Sequence, residues 1–234
     1  VNDGPPGDRP TLDNVRLQIA SGRQTSIVGV SGSGKTTLVK LLLGFYPPAS
    51  GQILLGDTSL ENFSIREWRK RCGVVMQDGF IFSDSIAGNI APGVEHIDKE
   101  RLRNAAEVAN IHGFIEGLPL GYNTRIGQEG HGLSQGQKQR ILIARAVYKN
   151  PEFIFFDEAT NALDANNERI IMENLQRFFE GRPSVVLAHR LRTVRNAVRI
   201  VVIEQGRIAE TGPHEELLAR EGRYYKLAKN QLER

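Results

Sequence analysis

The stretch GVSGSGKTT most constrains what this chain can fold into. It fits the pattern G-x-x-x-x-G-K-[ST], with Gly29, Gly34, Lys35 and Thr36 at the fixed positions. An apolar run precedes it and a helical pattern follows it, which is the context that a phosphate-binding loop needs. Glycines let backbone N–H groups turn toward phosphate oxygens, while the lysine and the threonine supply a cation and a ligand for Mg²⁺. The sequence therefore predicts a nucleotide phosphate site.

Apolar runs alternate with helical patterns along the chain. Several of the apolar runs are continuous, as in a parallel sheet covered on both faces. The runs that predict strands lie at 15–20, 24–30, 52–57, 72–77, 153–158, 184–189 and 199–205. The helical patterns lie at 35–45, 99–115, 136–149, 166–179 and 215–232. This alternation predicts an α/β fold.

One segment breaks the alternation, because residues 80–149 contain helical patterns and loops but no convincing strand. We interpret it as an all-helical insertion. The α/β core is then formed by residues 1–79 and 150–234.

Composition sets the class of protein. With 234 residues, 40% of them hydrophobic, the chain can bury the core of one large domain or two small lobes. The densest basic stretch, REWRKR at 66–71, is short and interrupted, which indicates a solvated helix face and no nucleic-acid partner. The single cysteine, Cys72, excludes an internal disulfide and suits a reducing compartment. No apolar run approaches the roughly 18 residues of a membrane span.

Polar residues end several of the predicted strands. Asp157 and Glu158 follow the apolar run FIFF, where a parallel sheet places its ligands. Asp157 suits the shell of a magnesium ion, and Glu158 suits the orientation or deprotonation of an attacking water. Acidic residues often end strands, so this pair gains its meaning from the phosphate loop before it. His189 and Gln77 end two further runs and carry no meaning when each is taken alone.

The stretch HGLSQGQKQR, at 131–140, raises a separate question. Its polar loop opens an amphipathic helix, and a helix start offers free N–H groups and a positive dipole end to an anion. The loop GLSQGQ has no lysine of its own. Taken alone, it is equally well explained as an ordinary helix start capped by Ser134.

Together these residues resemble the nucleotide-binding domain of the ATP-binding cassette (ABC) family, in the family's order and over nearly the whole chain. GVSGSGKTT is similar to its Walker A motif, VVMQ to its Q-loop and LSQGQ to its signature. FIFFDEAT is similar to its Walker B motif, NALD to its D-loop and LAHR to its switch-histidine loop. The resemblance implies a P-loop NTPase (RecA-like) core with a mainly parallel sheet, an N-terminal antiparallel β subdomain and an inserted all-helical subdomain.

The resemblance also assigns roles to residues. Glu158 becomes the catalytic base and His189 a contact to the γ-phosphate. The implied magnesium neighbourhood is Thr36, Gln77 and Asp157. The implied phosphate binders are Gly29, Ser31, Gly32, Ser33, Gly34, Lys35, Thr36 and Thr37.

The resemblance further implies a head-to-tail dimer with a second nucleotide-binding domain. The signature loop of one chain then closes over the ATP held by the other, whose lysine serves the shared site. Ser134, Gly136 and Gln137 belong to that second anion site, and Asp164 bridges the two halves.

TRIGQEG (124–130) and IFSDSIAGNI (81–90) resemble stretches of exporters with fused membrane domains. The partner implied is therefore a transmembrane domain fused N-terminally, with the chain at the cytoplasmic face of the membrane. The nearest likeness is to bacterial peptide and bacteriocin exporters, which implies a peptide cargo. The Pro/Gly-rich start suggests a fragment of a longer protein.

Three positions depart from the family pattern. Gln135 stands where the signature usually has a glycine, while Ser134 and Gly136 are retained. Gln128 replaces the glutamate of the exporter segment. The aromatic residue that stacks on adenine is expected upstream of Val1, because no aromatic residue precedes Phe45.

Two other functions compete with a transport ATPase. A regulatory module would bind ATP and dimerise without turnover, but a degenerate site would be expected to lose Glu158 or His189. A soluble ABC ATPase of DNA repair or translation would carry a long coiled-coil insertion or a second cassette, and this chain has neither. A GTPase is disfavoured because the sequence lacks an N-K-x-D motif.

Overall fold

The computed structural model describes residues 10–76, 79–127, 130, 132–157, 163–188, 194 and 197–232. The chain divides into two compact units. The first unit comprises residues 1–72, 153–157 and 181–234, and the second comprises residues 73–152 and 158–180.

The strands have two to six residues each, and the longest ones belong to the first unit. In chain order they are β1 Gln24–Val28, β2 Leu54–Leu55, β3 Thr58–Ser59, β4 Cys72–Val75, β5 Asp84–Ser85, β6 Arg125–Ile126, β7 Phe153–Asp157, β8 Ser184–Leu187, β9 Arg199–Glu204 and β10 Arg207–Gly212. The main sheet includes the order β10-β9-β1-β8-β7. All neighbours in this order are parallel except β9 and β10, which form an antiparallel hairpin. The predicted mainly parallel α/β fold is confirmed.

Burial explains why the strands of this sheet have continuous apolar sequences. In β9, the side chains of Ile200, Val201, Val202 and Ile203 are at most 1% exposed. Successive strand residues point to opposite faces, so both faces of β9 are covered. A small apolar cluster around Tyr224 lies within the same unit.

The helices begin and end close to the predicted patterns. In chain order they are α1 Lys35–Leu42, α2 Ile65–Arg71, α3 Ile86–Ile90, α4 Lys99–Val108, α5 His112–Glu116, α6 Gln135–Tyr148, α7 Ala165–Phe179, α8 His214–Ala219 and α9 Arg223–Leu232. Two of the predicted helices are broken in two. Asn110 and Glu221 adopt positive φ values at the breaks, of 51° and 50°, and such a conformation ends a helix.

In the second unit, α6 packs against α3 and α4. Ile141, Ile143 and Ala144 of α6 are fully buried, as are Ala105 and Ala106 of α4. Small alanine side chains let the two helices approach closely. This packing fixes the helix that begins at the signature loop.

The expectation of an all-helical segment over 80–149 needs a correction. Strands β5 and β6 lie in that segment and pair in an antiparallel ladder, Asp84 with Ile126 and Ser85 with Arg125. Each strand has only two residues, which is too short for a two-residue alternation to show in the sequence.

The N-terminal strand prediction also needs a correction. Residues 15–20 alternate between half-buried and exposed side chains but form no ladder. Alternating half-buried and exposed side chains show that one face of this segment is covered. A β-strand also needs a neighbouring backbone with which it can form hydrogen bonds. Within the described residues 10–76, antiparallel pairing is limited to the hairpin of β2 and β3.

Candidate nucleotide-binding site

The phosphate loop connects the middle of the sheet to α1. Strand β1 has parallel neighbours on both sides, so the loop at its carboxyl end leaves from the edge where such sheets bind ligands. Gly29, Ser31, Gly32, Ser33 and Gly34 lie in this loop. Gly34 is the residue before α1 and has a φ of 104°, a left-handed conformation that favours glycine. The first-turn N–H groups of α1 therefore face the loop.

Lys35 lies over the loop. Its ammonium group donates hydrogen bonds to the carbonyl oxygens of Gly29 at 2.8 Å and Val30 at 3.0 Å. The residue is only 5% exposed. An ammonium group forms its stronger hydrogen bonds with charged acceptors. A phosphate oxygen is such an acceptor.

Thr36 and Asp157 lie side by side at the same edge of the sheet. The Thr36 hydroxyl donates a hydrogen bond to Asp157 Oδ2 at 3.2 Å. Asp157 ends β7 and is 5% exposed. A hydroxyl oxygen and a carboxylate oxygen are hard ligands of the kind that Mg²⁺ prefers. Among the described residues no cluster of three or more His, Cys, Asp or Glu side chains forms a metal cage. The pair therefore fits a magnesium ion that takes its other ligands from phosphates and water.

Ser33 has a buried hydroxyl, with the residue 3% exposed. Within the described part of the chain, this oxygen has no hydrogen-bond partner. A buried polar atom without a partner calls for an explanation, and a bound anion supplies one. Thr37 follows in the first turn of α1, where it is half-buried.

In the second unit, Ser134 caps α6. Its hydroxyl accepts from the Gln137 N–H at 3.2 Å, and the Gln137 side-chain oxygen accepts from the Ser134 N–H at 2.8 Å. This is a capping box. A hydroxyl group is both donor and acceptor, so Ser134 can accept in the cap while its own proton is donated to an anion. The loop can therefore cap α6 and bind an anion at the same time.

The departure at Gln135 lies at the first position of α6, where its side chain is exposed. Gly136 follows in the first turn and is half-buried. The glutamine therefore leaves the capping box intact. No lysine lies in the loop GLSQGQ itself, and the nearest one, Lys138, is exposed in the first turn of α6.

Asp164 caps α7. Its carboxylate accepts from the N–H groups of Asn166 at 3.1 Å and Asn167 at 3.0 Å, and from the Asn167 side-chain amide at 2.5 Å. The side-chain hydrogen bond from Asn167 is the main reason why the pKa of Asp164 lies below its ordinary value. These hydrogen bonds favour the ionised form of Asp164.

A polar network that the sequence did not reveal joins this cap to α6. The side-chain oxygen of Asn167 accepts from Asn110 Nδ2 at 2.8 Å and from Arg140 Nη1 at 3.5 Å. Arg140 also donates to the Asn110 carbonyl at 2.8 Å. Burial lowers the pKa of Arg140, and the charge of Asp164 opposes that change. Asn167 thus bridges the signature helix and the D-loop aspartate.

Three predicted site residues, Gln77, Glu158 and His189, lie outside the described residues. The same is true of Gln128, which departs from the exporter segment. Their assigned roles stay predictions.

A strand-loop-helix that places Lys35 over the loop and Thr36 beside a strand-end aspartate defines the class of P-loop ATPases. The family follows from comparison with known proteins. The ABC transporter family model matches residues 12–161. The chain belongs to the ABC transporter family, and it is an ATPase of that family.

Two relatives show how similar the chain is to known exporters. It is 46% identical over 220 residues to the ATP-dependent lipid A-core flippase of Syntrophus aciditrophicus, covering 94% of this chain and 37% of the flippase. It is 50% identical over 212 residues to the leukotoxin translocation ATP-binding protein LktB of Mannheimia glucosida, covering 90% of this chain and 30% of LktB. The chain thus spans under two fifths of the length of these relatives.

A solved structure gives the same result. The chain matches a bacterial Atm1-family ABC exporter with ATP bound, with a TM-score of 0.93 and 39% sequence identity. The match covers 98% of this chain and 40% of the exporter chain. None of the described helices has the length and hydropathy needed to cross a bilayer.

Proposed function

We propose that this chain is the motor domain of an exporter, in which two copies close head to tail around two ATP molecules. The observation that carries the proposal is the capped N-terminus of α6. Ser134 has a hydroxyl proton to donate and a helix dipole behind it, but its loop has no lysine. Lys35 belongs to the other unit. A second chain's phosphate loop would supply the lysine that this loop lacks.

The first unit holds the nucleotide. Backbone N–H groups of residues 29–34 and the start of α1 bind the phosphate oxygens, and Lys35 leaves its two loop carbonyls to bind them too. Thr36 and Asp157 hold Mg²⁺, with Gln77 in its neighbourhood. When bound, the ion neutralises the charge on the phosphates.

The hydrolytic step needs a base. Glu158 directly follows Asp157 and accepts a proton from the attacking water, whose oxygen bonds to the γ-phosphorus as the bond to the leaving oxygen of ADP breaks. His189 contacts the γ-phosphate and stabilises its charge in the transition state. Asp164, which accepts hydrogen bonds from Asn167, contacts the partner chain and bridges the two halves of the dimer.

The second unit transmits the change to the membrane part. Phe80 and Phe82 form an edge-to-face pair with exposed side chains, at 69% and 44%. Asn89 and Arg145 hold this pair from beneath. The Asn89 side chain accepts from the Phe82 N–H at 2.8 Å, and Arg145 donates to the Phe80 carbonyl at 3.0 Å. Exposed aromatic side chains on a rigid support suit docking to another protein. We propose that a cytoplasmic loop of a transmembrane domain docks here.

The proposal also includes the kind of cargo that the exporter carries. The relatives' names describe a lipid A-core flippase and a leukotoxin translocation protein. ATPase domains of similar sequence thus serve cargoes of different chemistry. A peptide cargo rests on the likeness of GLSQGQKQRILIARA and NALDANNE to peptide exporters.

A dilution series tests the two-chain site. Two separate cassettes meet by diffusion, whereas a tether supplies an effective concentration on the order of mM. We expect the 234-residue chain to be mostly monomeric at micromolar concentration, with ATPase activity per chain that rises with protein concentration. A flat profile over a hundredfold dilution, together with a monomer under turnover conditions, would show that one chain completes the site.

A further inference from the structure

The turn between β9 and β10 lies against the phosphate loop. Strand β9 ends at Glu204 and β10 begins at Arg207, so only Gln205 and Gly206 form the turn. Their φ values are 47° and 77°. A two-residue hairpin turn with two positive φ values matches the twist of the strands it joins. Gly206 is therefore held in a fixed orientation by the hairpin.

Both backbone groups of Gly206 bond to other segments. Its N–H donates to the Ser33 carbonyl at 3.1 Å, and its carbonyl accepts from the Asp13 N–H at 2.9 Å. The Asp13 carboxylate in turn accepts from Arg207 Nε at 2.9 Å. One residue of the hairpin thus ties the phosphate loop to the N-terminal segment.

Close packing leaves little freedom at these contacts. A Cβ atom at Gly206 would lie 2.4 Å from the Thr11 carbonyl oxygen. A Cβ atom at Gly34 would lie 2.8 Å from Leu12 Cδ2, and one at Gly29 would lie 2.3 Å from the Ile203 carbonyl oxygen. The loop, the hairpin and residues 11–13 therefore contact one another almost backbone to backbone.

The bond from Gly206 fixes the orientation of one peptide group. The peptide between Ser33 and Gly34 is planar and trans, so its C=O and its N–H point in opposite directions. Because the Ser33 carbonyl points at Gly206, the Gly34 N–H points away from the hairpin. A phosphate-binding loop works by directing such N–H groups at phosphate oxygens.

We propose that Gly206 is a positioning residue for ATP binding: its N–H fixes the Ser33–Gly34 peptide and thereby directs the Gly34 N–H at the phosphates. The inference rests on ATP binding at residues 29–36. It assigns a role in nucleotide binding to a residue that lies far beyond the phosphate loop in the sequence.

Two changes at residue 206 test the proposal. An amide-to-ester exchange, with glycolic acid incorporated in place of Gly206, removes the N–H donor and adds no side chain. Gly206→Ala adds a methyl group that meets the Thr11 carbonyl. Gly56→Ala is the matched control, because Gly56 also lies in a hairpin turn with a φ of 62° and has open space around its Cβ position.

Three readouts separate positioning from a structural role. These are MgATP affinity by calorimetry, the split between KM and kcat, and the shift of the Gly34 amide signal on addition of MgADP. A hydrogen bond to a phosphate stabilises bound ATP equally in the ground state and in the transition state. Its loss therefore raises KM and leaves kcat nearly unchanged. For the ester we expect about tenfold weaker MgATP binding and a smaller Gly34 shift. Gly56→Ala should match the parent in all three.

The outcomes are distinct. If the parent chain itself fails to bind MgATP, the proposed function fails. If the parent binds and the folded ester, checked by circular dichroism, binds equally well with an unchanged Gly34 shift, the positioning role of Gly206 is wrong and the proposed function stands. Should Gly206→Ala not fold, the ester alone decides, because it introduces no clash.

Discussion

The Thr36 hydroxyl donates a hydrogen bond to Asp157 Oδ2 at 3.2 Å, across 121 positions of sequence. The contact joins the first turn of α1 to the end of β7. Parallel strands bring their carboxyl ends to one edge of a sheet, so two residues far apart in the sequence become neighbours. Both oxygens are hard ligands, and this pairing is what makes the site suitable for Mg²⁺.

Asp157→Asn should make nucleotide binding less dependent on magnesium. The amide retains the shape but loses the charge that favours the cation. We expect at least about tenfold weaker binding of MgATP, with binding of ATP in EDTA unchanged or stronger, because the repulsion between carboxylate and phosphate is removed. Calorimetry with and without Mg²⁺ measures both. Asp57→Asn, in the exposed β2 to β3 turn, should leave both affinities as in the parent.

Lys35→Ala should weaken MgATP binding, because it removes the cation nearest the loop. The loss of charge-assisted hydrogen bonds corresponds to about tenfold to a hundredfold in affinity. Titration with a fluorescent ATP analogue provides the measurement. Lys40→Ala, which removes a lysine from the last turn of the same helix, is the control. Unchanged affinity in Lys35→Ala would remove this residue from its assigned role.

Asn167→Ala should raise the pKa of Asp164 toward its ordinary value of 3.8, because the side-chain hydrogen bond is its largest cause of lowering. A carboxylate with a lowered pKa contributes stability above its unfolded pKa, and that contribution is lost as pH falls through the folded value. The difference in melting temperature between parent and variant should therefore be full at neutral pH and shrink below pH 3.8. Melting curves from pH 7 to pH 3 measure it. A difference that stays constant over this range would contradict the assigned cause.

Short sequence patterns predicted the site residues that lie at the ends of strands. The phosphate loop and Asp157 each follow a buried strand, and strand ends carry ligands whatever lies between them. The Asn167 bridge could not be predicted in this way, because a cap pattern at Asp164 says nothing about Arg140 on another helix. The contact between Gly206 and Ser33 joins two backbones and has no side-chain signature.

The missed strand β10 has a physical reason as well. Its residues 207–210 alternate between exposed and half-buried, and it lies at the end of the sheet order. An edge strand covered on one face carries few apolar residues. The short turn Gln205–Gly206 after an apolar run was the available signal, since such a pair predicts a hairpin.

Glu158→Gln should preserve ATP binding and lose most turnover. The amide remains near the attacking water but cannot accept its proton. ATP that is bound and not hydrolysed should then hold two chains together, so light scattering with ATP should show a dimer. Glu168→Gln is unsuitable as a control, because Glu168 is buried in α7. Glu173→Gln, on the exposed face of the same helix, serves instead. A Glu158→Gln variant that hydrolyses ATP at near the parent rate would place the base at another residue.

Ser134→Arg should abolish hydrolysis while the chain still binds ATP, because Ser134 serves the nucleotide of the partner. The substitution also removes the cap of α6, which costs about 1 kcal/mol. Asp98→Ala controls for that loss. Asp98 caps α4 in the same unit through hydrogen bonds to Glu100 and Arg101, and it lies outside the signature loop. This control should lose comparable stability and retain its ATPase activity.

A mixture of Ser134→Arg and Glu158→Gln chains provides the sharpest test of the shared site. In a mixed dimer, one site combines the intact Glu158 of the first chain with the intact Ser134 of the second, and the other site carries both lesions. Some turnover should therefore return, although each variant alone is inactive. With random pairing in an equal mixture, about half of the dimers are mixed and each has one working site, so about a quarter of the parent activity is the expected ceiling. If the mixture stays inactive while light scattering shows that dimers form, the site is not shared in this way, and Ser134 acts on the nucleotide of its own chain.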